Sequence, residues 1–153
     1  MPHPQLDRHA LAIKPLSARQ NKLRVERNFV SPDQPPARLP AATAAAVDEV
    51  AARVRYARRT HRPVILAFGA HTIKNGMSPT LIALMEKGWV THLATNGAGI
   101  IHDWEFAFQG KSSEDVKANV DRGQFGIWDE TGFYINLSLI VGAYEGLGYG
   151  ESV

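Results

Sequence analysis

From Ala41 onward the apolar positions change period in a regular order. "AATAAAVDEVAARVRYARR" is alanine-rich and puts Val47, Val50 and Val54 on one helical face, which predicts a helix over 41–59. "RPVILAFG" is a continuous apolar run closed by glycine, the pattern of a strand buried on both faces. "SPTLIALMEKG" predicts a second helix, with Ser78 as N-cap, Pro79 at the first helical position and Gly88 ending it. Its buried side is expected to be Leu81, Ile82, Leu84 and Met85. "VTHLAT" is then a strand of the same kind as the first. Helix, strand, helix, strand in that order implies parallel pairing with a right-handed crossover.

Beyond the second strand the pattern is helical throughout. "HDWEFAF" is expected to open one helix, and "SSEDVKANV" another, with Ser112 and Asp115 spaced as a capping box. "DETGFYINLSLIVGAYEG" predicts a long helix with Phe133, Leu137, Ile140, Val141 and Tyr144 on its apolar side. Asp129, Glu130 and Thr131 suit its start, and Asn136 its solvent side. Residues 1–40 read as an extended N-terminal arm. Leu23, Val25 and Phe29 suit a short half-buried strand, and "SPDQPPARLP", with four prolines in ten residues, excludes helix. The expected fold class is therefore α/β, a Rossmann-like parallel sheet with flanking helices over 41–153. Only two strands are clear, whereas a doubly wound sheet usually has more. Either partner chains complete the core or the segment is the N-terminal part of a larger domain; the second reading is favoured.

Composition narrows the function classes. A length of 153 residues suits one domain with a sizeable core. No apolar run approaches the roughly 20 residues of a bilayer span, and "MPHPQLDRHA" has no apolar signal core, so membrane association is not expected. Without cysteine there is neither a disulfide framework nor thiolate chemistry, which fits a cytoplasmic location. The net charge of +2 conceals a division: residues 1–62 carry twelve Lys/Arg against five Asp/Glu, and residues 63–153 carry five against ten. The basic half lacks interleaved aromatics, so a solvated face, or one that pairs with the acidic half or another subunit, is expected rather than a nucleic-acid surface.

Candidate chemistry gathers at the carboxyl ends of the two strands, where open parallel sheets bind ligands. "GAHTIKNGMS" (Gly69 to Ser78) and "NGAGIIHD" (Asn96 to Asp103) would lie side by side there. Their glycines allow a sharp turn or a close backbone approach, and the helix after each could hold an anion, with Lys74 adding charge. The competing explanation is an ordinary strand-to-helix turn, and neither loop has the spacing G-x-G-x-x-G. His71 and His102, with Asp103 or Glu105, could hold a divalent metal, but no close spacing such as H-x-x-x-H supports one. On the same residues Asp103 is also a normal helix N-terminal charge, and Trp104 a normal core residue.

"LAFGAHTIKNGMSPTLIALMEKGWVTHLATNGAGIIHDWEFAF", followed by "SEDV" and "FGIWDETG", resembles the deoxyhypusine synthase family and its bacterial relatives over roughly residues 60–145. The strongest match is "TNGAGIIHD", a small-residue turn closing on His-Asp, and "GAHTIKNG" is similar to the family's first cofactor loop. The resemblance implies a parallel-sheet fold that binds NAD, in a tetramer, and acts on an amine such as a polyamine. It implies that Ala70, His71 and Thr72 line the cofactor from the first loop, that Thr95, Asn96, Gly97 and Ala98 do so from the second, and that His102 and Asp103 are catalytic at the far side. The family's imine-forming lysine lies in a later segment, and none of the six lysines here stands in a comparable one. The leading expectation is thus an NAD-dependent, deoxyhypusine-synthase-like transferase or amine oxidase. The alternatives are a non-catalytic nucleotide-binding or assembly module, and a metal-dependent hydrolase built on His71, His102 and Asp103.

Overall fold

A computed structural model describes residues 3–153. Its centre is a parallel pair, β2 (Ile65–Ala67) beside β3 (His92–Ala94), with Leu66 opposite Leu93. The crossover between them consists of α3 (Ala70–Lys74) and α4 (Ser78–Glu86), and α5 (Gly97–Gln109) follows β3. A second pair is antiparallel: β1 (Asn21–Arg24) lies against β4 (Lys111–Glu114), with Leu23 opposite Ser112. The remaining helices are α1 (Val25–Asn28), α2 (Ala41–Arg59), α6 (Val116–Asp121), α7 (Asp129–Tyr144) and α8 (Tyr149–Ser152). The architecture is mixed α/β with two two-stranded sheets; the parallel part is this single pair rather than a broad doubly wound sheet. No helix among the described residues is long and apolar enough to cross a membrane.

The core forms where α3 and α5 pack together over the parallel pair. Ile73, Leu81 and Phe106 are buried, and Leu23, Val25, Leu66, Phe68 and Leu93 close around them. The N-terminal segment is tied into this body. Leu16 is buried, Val25 donates its N–H to the Gly110 carbonyl, and the Phe29 ring meets Phe106 edge-on at 5.4 Å.

Several local expectations are corrected. The strand expected to carry Leu23, Val25 and Phe29 ends at Arg24, where the Asn28 side chain accepts the Arg24 N–H and the chain winds into α1. The helix expected to open at His102 begins at Gly97, because the Asn96 side chain accepts the Gly99 N–H and caps it. Ser112 belongs to β4 and is no cap; Asp115 alone caps α6, accepting the Ala118 N–H. Ser78 is the first residue of α4, and its hydroxyl is buried without a partner instead of capping.

The parallel strands are not buried on both faces. Ile65 is 65% exposed, since no layer of described residues covers that side of the pair. Val47 and Val50 on α2 are exposed as well. On α7 the expected apolar side faces solvent, while Thr131, Ile135 and Gly142 make the buried seam. The helix is apolar nearly all round, so periodicity could not say which side would pack.

One glycine is dictated by close packing. Gly76 has φ +82°, and a Cβ there would stand 1.8 Å from the Asn28 carbonyl oxygen. Gly76→Ala should therefore lower stability by about 2–4 kcal/mol, combining left-handed strain and overpacking. The urea midpoint measures it, and an unchanged midpoint would contradict the docking of 28–30 against this turn.

Candidate functional site

The most deeply buried charge lies on α5. Glu105 is 1% exposed and Arg19 is 8% exposed. The Arg19 guanidinium grips the carboxylate at both ends, Nη1 to Oε1 at 2.8 Å and Nη2 to Oε2 at 2.5 Å. Ser112 Oγ donates to Oε2 at 2.6 Å, and Thr131 Oγ1 donates to Oε1 at 3.0 Å. Arg19 also donates to Asn21 Oδ1 at 2.8 Å, and its guanidinium lies 5.6 Å from the centre of the Trp128 ring. Four separate segments therefore meet on one carboxylate: the N-terminal segment, α5, β4 and α7. A buried ion pair persists only when hydrogen bonds satisfy it; here each carboxylate oxygen accepts twice and three of the five guanidinium N–H groups donate.

Ser112 passes this order to His102, whose Nδ1 lies 2.7 Å from Ser112 Oγ. The single hydroxyl proton of Ser112 is given to Glu105, which as a carboxylate only accepts. Ser112 Oγ must then accept from His102, which fixes the Nδ1–H tautomer and leaves Nε2 as the ring's free base. Burial of the ring pushes the His102 pKa below its usual value; Glu105 opposes this, and the charges of Lys74, Arg19 and His71 reinforce it. The imidazole is thus kept neutral and basic at Nε2.

His102 borders a cavity of about 480 Å³ whose walls include Lys74, Ala98, Trp128, Ile135 and Asn136. Ser113 on the same wall is buried and holds φ +66°, a left-handed backbone that a serine rarely adopts. A second cavity, about 610 Å³, lies along the other side of α5 and is bordered by Thr95, Gly99, Asp103 and Tyr149. The two carboxyl-end residues expected to act together are therefore divided: His102 faces the first cavity and Asp103 the second. Asp103 is exposed by surface area, yet protein crowding around its carboxyl raises its pKa.

The remaining expected residues cluster around the start of α5 and α3. Thr95 Oγ1 donates to the Phe68 carbonyl at 3.0 Å, tying the two strand ends together. Gly99 is small for this reason, because a Cβ there would lie 2.4 Å from Thr95 Oγ1. Gly97 differs: its Cβ position is open, with the Tyr149 hydroxyl nearest at 3.8 Å. The Gly97 and Ala98 N–H groups head a 13-residue helix and find no acceptor among the described residues, while the Asn96 side chain occupies the N–H of Gly99. Ala70, His71 and Thr72 form the first turn of α3 rather than an irregular loop, and border neither cavity. His71 is near enough to His102 to influence its pKa, but no group of three or more His, Cys, Asp or Glu among the described residues could hold a metal ion.

Arg19, Ser112 and Thr131 carry the site without any sequence signal of their own. Glu105 did have one: Ala98, Ile101, Glu105 and Phe108 recur at helical spacing, and a carboxylate inside an apolar stripe marks a buried charge that needs a partner. No family model, no curated protein and no solved structure matches the chain.

Proposed function

We propose that the protein binds NAD across the first turn of α5 and uses it to oxidise, or transfer a group from, an amine held beside His102. The observation that supports this most is the His102–Ser112–Glu105–Arg19 relay, which presents a neutral imidazole with a fixed free Nε2 at a cavity of ligand size. The likeness of "GAHTIKNG" and "TNGAGIIHD" to the deoxyhypusine synthase loops points the same way, as does the position of both segments after parallel strands.

The residues fit the cofactor. The free N–H groups of Gly97 and Ala98 suit a diphosphate, and the open space at Gly97 admits it. When bound, the nicotinamide supplies the acceptor for hydride. His102 Nε2 takes the proton that the amine nitrogen loses as its C–N bond becomes C=N. Trp128 and Ile135 in the cavity wall exclude water from the reacting carbon. The Rossmann-like character of the whole belongs to this reading.

Calorimetric titration with NAD tests the placement. Gly97→Val should weaken binding at least tenfold while leaving the fold intact, since its side chain would occupy open space. Unchanged affinity would remove the cofactor from this turn, and failure of the native chain to bind would end the NAD assignment. The second reading, an assembly module without chemistry, is favoured by the uncovered apolar faces of α2 and α7. NADH formation on adding spermidine would exclude it.

A further inference from the structure

The chain presents far more surface than its mass requires. Its accessible area is 11306 Å², against about 7,700 Å² for a compact monomer of this size. The exposed stretches 3–15 and 31–40 account for part of the excess, and two uncovered apolar features add to it. One is a groove of about 660 Å³ along α2, lined by Val47, Val50 and Val54 with Leu84 and Trp89 opposite. The other is the outer ridge of α7, where Phe133, Leu137, Val141 and Tyr144 are all exposed, Tyr144 at 93%.

The two features match in spacing and in charge. Along α2 the positions Val47, Val50, Val54 and Arg58 advance by three, four and four residues. Read backwards along α7, Tyr144, Val141, Leu137 and Phe133 retreat by the same steps. An antiparallel crossing therefore sets Val47 against Tyr144, Val50 against Val141 and Val54 against Leu137. At the end of that register Arg58, already stacked on Trp89 at 4.2 Å, meets Phe133. The same crossing brings the basic C-terminal turn of α2, with Arg58 and Arg59, towards Asp129 and Glu130 at the start of α7. Two α7 ridges facing each other would instead set Asp129 and Glu130 against Glu145. Within one chain α2 and α7 make no extended contact.

We propose that α2 of one copy of this chain receives the α7 ridge of a second copy, and that this contact builds a homo-oligomer. The occupant is a second copy because the complementary ridge, in register and of opposite charge, is carried by the chain itself. Reciprocal use of groove and ridge about a twofold axis would bury both on each copy. The inference does not depend on the cofactor reading.

The absence of native cysteine makes a direct test available. Val50→Cys and Val141→Cys are made on separate, differently tagged full-length chains, which are coexpressed, purified and mildly oxidised. The expected result is a disulfide-linked heterodimer in the mixture, absent when either variant is oxidised alone, with the native chain sedimenting above monomer mass. Cross-linking of Val141→Cys with itself would place ridge against ridge and overturn the proposal. So would a mixture that stays uncross-linked, or a native chain that sediments as a monomer. Ile140→Glu, at another exposed position on the ridge, should shift the chain to monomer while its circular dichroism is retained; an unchanged mass would count equally against the contact.

Discussion

Glu105→Ala should unfold about 10 °C earlier than the native chain. The substitution leaves the Arg19 guanidinium, 8% exposed, without its counter-charge, and breaking a buried pair from one side costs about 3–5 kcal/mol. It also deprives Ser112 and Thr131 of their acceptor. The converse gives the expectation its edge: Arg19→Met combined with Glu105→Leu should recover part of the loss, because two apolar groups need no solvation while Ser112 and Thr131 still lack their acceptor. A thermal scan of the two variants beside the native chain decides it. A single substitution costing less than about 1 kcal/mol would mean that water reaches the pair.

The second large effect concerns His102. If its Nε2 is the proton acceptor, His102→Gln should lower the rate of NADH formation from spermidine by about 10²–10⁴-fold. Binding of NAD should remain, because the Gly97 and Ala98 N–H groups are untouched. With the native chain the rate should rise with pH through a midpoint below 6.5, since burial lowers the pKa and the base works only when neutral. The same shift has a stability consequence of definite sign. Below pH 6.5 the unfolded chain takes up the proton before the folded one, so acid destabilises the fold through this group. Nitrogen-15 NMR of the imidazole tests the argument without any substrate. It should show the Nδ1–H tautomer and a pKa below 6.5; an Nε2–H tautomer would contradict the relay, and a flat pH profile would remove His102 from the chemistry.

The sequence made the local elements legible where one period dominates. The helix over 41–59 was readable from its alanines and valines, and the parallel strands from short apolar runs bounded by glycine. The ends were harder. Asn96 caps α5 six residues before His102, but "NGAG" reads more readily as a loop, because glycine disfavours helix. β4 could not be read at all: "KSSE" has no apolar alternation, and it is a strand because it pairs with β1 from the other end of the chain. The site shows the same division. His102 was a candidate from strand-end geometry, but the cavity it borders excludes Asp103 and Ala70–Thr72, and Arg19 and Ser112 gain meaning only when folding brings them to Glu105. The charge division between the halves was visible, and part of it is spent on this one internal contact.

The pairing of β1 with β4 has a further consequence, for the order of events during synthesis. Asn21 meets Glu114, so the residues between them must all leave the ribosome before the two strands can join. Until then Arg19 has no Glu105 to hold, and the nascent chain carries an unpaired sticky edge together with an unshielded apolar patch around Phe29. Residues 16–29 therefore wait unpaired through the synthesis of most of the chain. What ends that wait is the arrival of "KSSE", the least conspicuous stretch of the second half.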